Sequence, residues 1–569
     1  MAHNFLELYW TDSYKTGHIR MLPAGSTLMS SNNTPRSGKL ANFPDSKGII
    51  AIGAQKMVRE MKEDWDLNFF QRPIEEIDQF GADLTAHLML KEPYDVSHFK
   101  ALHKLGYLPL RVKAIEEGTF LPYRIPMTTI VNTQPLNGQI FDWLVNYLET
   151  INSAEAWQIP TSATLGFQFK KLGRARALRT DSENLWFVDY QFHDFSMRGM
   201  GGKSAIVNSS LGFAACSRGS DTLPVIAAAR KFYDEVDVCV NSVIASEHAI
   251  MCALTGFFIK QEDGTWDRIG DFEYQTFLYL IKKFPSGILS LVMDTWDLWR
   301  AVTDYVKRAK DEIMARDGKV VIRPDSGNPV DIICGIPTIT KLQVGNLPDK
   351  FVYDDKVYKS DKDAYQDLID EYGEQDTYHA LNSLEDLLDN GVIEELDYST
   401  AQVKGVIELL HETFGGTITK EGFKKLDSHI GAIYGDSITL ARAEAIFDRL
   451  EAKGFASTNI VLGVGSYSLQ YVTRDTHGFA QKATFVVVNG QGIEIFKDPA
   501  TDDGTKKSAR GLLCVLKDEN GEYYLKDRAT PEEEQTGFLQ VIFEDGKFFN
   551  QTTLTAIRER INNLKQLND

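Results

Sequence analysis

Val320-Val-Ile-Arg-Pro-Asp-Ser-Gly-Asn-Pro329 joins an apolar run to an abrupt polar turn. Val320, Val321 and Ile322 read as a short buried strand. Pro324 and Gly327 end it and force a tight loop. That loop gathers a cation (Arg323), a carboxylate (Asp325), a hydroxyl (Ser326) and free backbone N–H groups. Such a set suits a phosphorylated sugar, with Arg for phosphate oxygens and Asp for sugar hydroxyls. On this stretch alone, a solvated turn with a local Arg323–Asp325 pair is the plainer reading.

The same grammar recurs on either side. Phe187–Phe192 runs into His193-Asp194-Phe195, and Val236–Val243 into Ala245-Ser246-Glu247-His248. Ile288–Met293 runs into Asp294-Thr295-Trp296-Asp297, His429–Tyr434 into Gly435-Asp436, and Asn459–Leu462 into Gly463-Val464-Gly465-Ser466. Helix-compatible stretches separate most of these strands, a parallel α/β alternation. Polar residues at the carboxyl ends of the strands are what the active face of a TIM-like barrel needs. The expected fold is α/β: an irregular TIM-like α/β barrel over 161–470, beside a β-rich α+β flanking domain built from N- and C-terminal segments. Residues 1–160 supply short strands (Thr27–Ser31, Gly48–Gly53, Pro109–Ile115) and helices (Gln55–Trp65, Phe141–Leu148) to that flank. Residues 471–569 add strands and a closing helix, Leu554–Leu567. The acidic stretch 334–404 breaks the rhythm and reads as a helical insertion with a solvated outer face.

Composition removes several classes of function. A net charge of −19 argues against a general nucleic-acid binder, which needs clustered Lys and Arg. Five cysteines without CxxC spacing argue against a disulfide framework or a structural zinc site, and suit a reducing cytoplasm. Neither a signal peptide nor a bilayer-spanning run is evident. Gly202-Lys203-Ser204 imitates the end of a Walker A loop, but Met197 stands where its first Gly belongs. Gly463-Val-Gly465-Ser-Tyr-Ser468 lacks the third glycine of a dinucleotide fingerprint, and a glycine loop after a late strand suits phosphate equally well.

Eight motifs then occur in one order: Thr11-Asp-Ser-Tyr-Lys15, His193-Asp-Phe-Ser-Met-Arg-Gly199, Gly219-Ser-Asp-Thr222, Ala245-Ser-Glu-His248, Arg323-Pro-Asp-Ser-Gly-Asn-Pro329, Tyr434-Gly-Asp436, Thr473-Arg-Asp475 and Phe496-Lys-Asp-Pro499. Together they resemble the nicotinamide phosphoribosyltransferase family of type II phosphoribosyltransferases. The resemblance implies phosphoribosyl transfer from 5-phosphoribosyl-1-diphosphate to nicotinamide. It also implies ATP as co-substrate through a phosphohistidine, Mg²⁺ held mainly by the substrate diphosphate rather than by protein ligands, and a homodimer with shared active sites. His248 is then the phosphorylated residue, with Glu247 beside it and Asp294 placed to orient the imidazole. Phe195 and Tyr14 of the partner subunit sandwich the pyridine ring. Asp221 accepts the carboxamide N–H, which separates amide from acid; its ordinary alternative is the N-cap of a helix over Val225–Tyr233. Arg198 and Arg323 lie near the reacting carbon. Asp325, Gly435 and Asp436 hold the ribose hydroxyls, and Gly465, Ser466 and Arg474 the 5′-phosphate. Arg36, Lys482 and Lys497 surround the diphosphate and ATP. Ser466, Ile244 and Met197 depart from the family's usual Gly, Pro and aromatic residue. A nicotinate phosphoribosyltransferase and a non-catalytic nucleotide-binding protein are the alternatives.

Overall fold

The computed structural model describes residues 5–43, 46–135, 138–262, 266–381, 383–435, 437–497 and 508–567. It divides into two units. One comprises residues 1–171, 196–241 and 466–569; the other comprises 172–195 and 242–465.

The second unit carries six parallel strands: β1 (Phe192–Asp194), β2 (Ile244–Ala245), β3 (Ser286–Val292), β4 (Asp317–Arg323), β5 (Ile430–Tyr434) and β6 (Ile460–Val464). Within the unit their order is β1-β6-β5-β4-β3-β2. β4, the strand of the opening stretch, is interior: Val320 pairs with Leu289 on one side and Ile430 on the other. Val320 and Ile322 are fully buried, which is why the run is continuously apolar and β-branched. Helices His248–Gln261 and Ile269–Lys283 separate β2 from β3, and Leu440–Ala452 separates β5 from β6. This is the expected α/β alternation in an irregular, incomplete barrel.

Two expected strands are shorter than their sequences suggest. Ser182–Phe187 is a 3-10 segment and Val188–Gln191 a helical turn, so only Phe192–Asp194 is strand. The alternation of Phe187–Phe192 fits either period over so few residues. The ring contact between Trp186 and Tyr190 follows helical i, i+4 spacing. Along Val236–Val243, Asn241 makes a single parallel bridge to Gly219, and a strand forms only beyond the stretch, at Ile244–Ala245; Val236 and Val238 are exposed. β-branched residues form strand only where a neighbour offers packing and hydrogen bonds.

The acidic insertion is not simply helical. Lys350–Tyr353, Lys356–Ser360 and Ile393–Leu396 form an antiparallel sheet beside helices Lys362–Tyr372, Glu374–Ala380 and Leu384–Asp389. Asp354 and Asp355 take left-handed φ of 49° and 61°, closing a two-residue hairpin. Lys356 and Lys359 reach Glu395 and Glu394 on the neighbouring strand at 2.7 and 3.1 Å, so charges that look like a solvated helix face are cross-strand pairs. Phe351, Tyr358, Leu381 and Leu387 give the insertion a core of its own.

The first unit is organised by a seven-stranded sheet in the order Gln491–Glu494, Ala480–Val488, Ser26–Thr34, Thr128–Asn132, Leu110–Ala114, Gln540–Glu544, Lys547–Phe548. Ser26–Thr34 lies antiparallel to Ala480–Val488, so N- and C-terminal segments close one sheet. Residues 196–241, with helices Lys203–Ala214 and Pro224–Tyr233, group with this unit.

Candidate active site

Parallel strands place their carboxyl ends along one edge. In the second unit that edge carries Phe195 after β1, Glu247 and His248 after β2, Asp294 and Thr295 after β3, Arg323 and Asp325 at the end of β4, Gly435 after β5 and Gly465 after β6. Asp436 lies outside the described residues.

The turn after β4 is held from a neighbouring strand. Oδ2 of Asp294 accepts from the Asp325 N–H at 2.8 Å and from the Ser326 hydroxyl at 2.7 Å. The Tyr434 hydroxyl donates to the Gly327 carbonyl at 2.8 Å, and Asn328 caps the following helix, Pro329–Cys334. The local Arg323–Asp325 pair does not form. Arg323 Nη2 donates to the Ser246 carbonyl at 2.9 Å, tying β4 to the end of β2. Ser246 itself is pinned to β3: its N–H donates to the Ser290 carbonyl, and its hydroxyl oxygen accepts from the Val292 N–H.

His248 opens the helix His248–Gln261, with Glu247 in the N-cap position. Its Nδ1 shares a 3.1 Å hydrogen bond with the Thr295 hydroxyl. Its Nε2 faces Asp325 at 3.7 Å and Asp294 at 3.9 Å. Asp294 is therefore nearby but beyond hydrogen-bond reach, and Thr295 is the residue that fixes the ring in this structure. Asp294 Oδ1 is buried without a hydrogen-bond partner. Two glycines make room on this edge. A Cβ at Gly435 would lie 2.8 Å from Asp325 Oδ1, and one at Gly463 would lie 2.5 Å from the Phe195 ring.

The first unit holds the remaining residues. Lys482 lies on Ala480–Val488 opposite Asn32. Burial lowers its pKa; Glu149 opposes that shift, while the charges of Arg36, Lys497 and Lys15 add to it. These cations thus share one field. Arg36 Nε donates to the Gly478 carbonyl at 2.8 Å. Arg474 stands half-exposed in the turn Arg474–Thr476, and Lys497 is exposed. Ser466 packs onto Gly199, where a Cβ would meet its Oγ at 2.0 Å, and Gly199 follows the exposed Arg198. Asp221 is exposed and is not a helix N-cap: that helix is Pro224–Tyr233, with Leu223 at the cap. Tyr14 is exposed within Ser13–Arg20. A cavity of about 590 Å³ in this unit, lined by Trp10, Lys56, Trp65 and Phe232 among others, contains none of the candidate site residues; Lys203 and Ser204 of the Walker-like stretch are on its wall.

Sequence reasoning missed the roles of Thr295 and Ser246, and saw Ser326 only as a hydroxyl of the loop after β4. The available signal was position: each is a hydroxyl within two residues of a strand's carboxyl end or of its terminal carboxylate.

Residues 190–534, more than half of the chain, match the model of the nicotinate phosphoribosyltransferase (NAPRTase) family. The chain belongs to this family of phosphoribosyltransferases. Among its curated relatives, the nicotinamide phosphoribosyltransferase of Acinetobacter baylyi is 38% identical over 97% of this chain and 96% of its own length. The nicotinamide phosphoribosyltransferase of Mycoplasma pneumoniae is 30% identical over 88% of this chain and 93% of its own. A crystal structure of nicotinate-nucleotide pyrophosphorylase from Pyrococcus furiosus aligns over 98% of this chain and 95% of that one, at TM-score 0.49 and 12% identity.

Proposed function

We propose that the protein transfers the phosphoribosyl group of 5-phosphoribosyl-1-diphosphate to nicotinamide, releasing nicotinamide mononucleotide and diphosphate. The observation that carries this reading is the near full-length similarity to proteins named nicotinamide phosphoribosyltransferase, joined to a strand-end edge carrying Phe195, His248, Arg323 and Asp325. The pyridine nitrogen is unprotonated near neutral pH and attacks ribose C1 as diphosphate leaves, through an oxocarbenium-like transition state. No general base is needed, so catalysis rests on orientation and charge stabilisation.

In this reading Asp325, beside the Cβ-free Gly435, accepts the ribose hydroxyls together with Asp436. Arg323 and Arg198 stand near the reacting carbon, and Phe195 stacks on the pyridine with Tyr14 of the partner subunit on the opposite face. Gly465, Ser466 and Arg474 take the 5′-phosphate. The field of Arg36, Lys482 and Lys497 takes diphosphate and ATP. Mg²⁺ would be held mainly by the diphosphate oxygens of the substrate, with Asp294, whose buried Oδ1 has no hydrogen-bond partner, as the protein oxygen available to it, and would supply neutralisation of charge on the leaving group.

ATP coupling runs through His248. The two carboxylates facing Nε2 favour a proton there, so Thr295 donates to Nδ1, which keeps the lone pair. The N-terminus of a 14-residue helix favours a phosphoryl group on that imidazole. We read the protein as a cytoplasmic homodimer; its cysteines are free among the described residues, as a reducing compartment allows.

A second reading, transfer to nicotinate, is favoured by the family's own description. Asp221 speaks against it, because a carboxylate facing a carboxylate costs about 2–5 kcal/mol. The test is mononucleotide formation from each base, with and without ATP, by wild type and Asp221→Asn. The expected outcome is at least a tenfold preference for nicotinamide, narrowed in the variant. Equal or better use of nicotinate by the wild type refutes the assignment.

A further inference from the structure

His477 is fully buried three residues after Arg474, and none of the roles above uses it. Its backbone and its ring do different work. The carbonyl accepts the N–H groups of Arg36 at 3.0 Å and Ser37 at 3.3 Å, while the next carbonyl, of Gly478, accepts Arg36 Nε. Arg36 is thus docked by backbone and side chain onto the turn that carries Arg474. The Phe479 N–H closes that turn by donating to the Arg474 carbonyl at 3.0 Å.

The His477 ring in turn is anchored from beside a separate two-stranded sheet, Gly48–Ala51 with Thr119–Pro122. Nδ1 meets the Tyr123 hydroxyl at 2.8 Å, that hydroxyl meets Ser46 Oγ at 2.5 Å, and Ser46 Oγ donates to the Gly48 carbonyl at 3.3 Å. One set of donors satisfies every member: Nδ1–H to Tyr123, Tyr123 O–H to Ser46, Ser46 O–H to Gly48. It leaves the Nε2 lone pair in an apolar wall beside Phe43 and Phe479, and Nε2 has no hydrogen-bond partner. Burial keeps the ring neutral, so the chain of donors persists at physiological pH.

We propose that Tyr123 and His477 are a positioning pair that locks Arg36 onto the Arg474 turn, presetting two guanidinium groups for the phosphates of 5-phosphoribosyl-1-diphosphate. The proposal rests on the reading of Arg36 and Arg474 as phosphate contacts. A long cation held in place before binding loses less side-chain entropy on binding, so the pair acts on substrate affinity rather than on chemistry.

Tyr123→Phe is the informative variant, because it keeps the ring and removes only the link to His477. Steady-state constants are compared for wild type, Tyr123→Phe, Arg36→Ala and the double variant, with titration of inorganic diphosphate onto each folded protein as a turnover-independent measure. The expected result is a rise of about three- to tenfold in KM for 5-phosphoribosyl-1-diphosphate in Tyr123→Phe, matching loss of one hydrogen bond. KM for nicotinamide and kcat stay within twofold, and the Tyr123→Phe effect vanishes in the Arg36→Ala background. A Tyr123→Phe variant that only melts earlier, with unchanged KM and unchanged diphosphate affinity while Arg36→Ala raises both constants, overturns the positioning role alone. An Arg36→Ala variant with unchanged constants overturns the assignment of Arg36 itself, and the positioning role with it.

Discussion

Gly463→Ala tests whether the Phe195 ring is the platform for the pyridine. A Cβ at residue 463 lies 2.5 Å from Phe195 Cδ2, 2.8 Å from Cε2 and 3.0 Å from the backbone oxygen of Tyr434. Ordinary carbon contacts begin near 3.5 Å, so the ring must retreat by about 1 Å. The Tyr434 oxygen belongs to the adjacent strand β5 and cannot give way, which leaves the ring as the part that moves. The Phe195 N–H is fixed to the Val464 carbonyl at 3.0 Å, so the displacement falls on the side chain. Overpacking of this kind costs about 1–3 kcal/mol of stability. Loss of an aligned stack forfeits about 0.5–1.5 kcal/mol, a two- to twelvefold change in affinity. The expected outcome is a rise of that size in KM for nicotinamide at saturating 5-phosphoribosyl-1-diphosphate, with KM for the sugar substrate within twofold. Calorimetric melting establishes that the variant is folded. A folded Gly463→Ala enzyme with unchanged KM for nicotinamide refutes the stacking role of Phe195.

His248→Ala is expected to abolish stimulation by ATP and any acid-labile phosphoenzyme while leaving uncoupled transfer measurable. Thr295→Val, which frees Nδ1 from its only donor among the described residues, slows phosphoenzyme formation several-fold; ATP stimulation that survives His248→Ala removes His248 from the coupling. The pH dependence of stability has a marker in Glu7. Burial, followed by the charge of Asp64, pushes its pKa from 4.5 up to about 8. The folded state therefore binds this proton more tightly than the unfolded chain. Its contribution is complete below pH 4.5 and is lost as pH rises through 8. Glu7→Gln is expected to gain stability relative to wild type between pH 5 and pH 8, by up to about 4 kcal/mol at 1.36 kcal/mol per unit. Urea unfolding at the two pH values reads this directly, and an equal difference at both refutes the buried, protonated carboxyl.

Much of the site edge is legible in the sequence because each strand announces its own end. A run such as Val320–Ile322 is apolar because β4 is buried between two neighbours, and Pro324 and Gly327 mark where it must stop. The residues after it are polar because they leave the core. Local reading fails where two periods fit one short run, as at Phe187–Gln191, or where charge pairs cross strands, as at Lys356 and Glu395.

By itself the sequence determined which side chains stand at the strand ends, and the alternation that makes those strands parallel. Only the tertiary structure decided what each side chain meets. Arg323 turns to the Ser246 carbonyl and not to Asp325; Asp294 holds the Asp325–Ser326 turn; Thr295, not Asp294, bonds His248; Gly463 clears space for Phe195. Most of those partners are tens to hundreds of residues apart, and Tyr123 and His477 are separated by 354 positions. Backbone periodicity is set by neighbours within a few residues and is written locally. A hydrogen bond across a sheet depends on strand order and register, which only packing of the whole chain fixes.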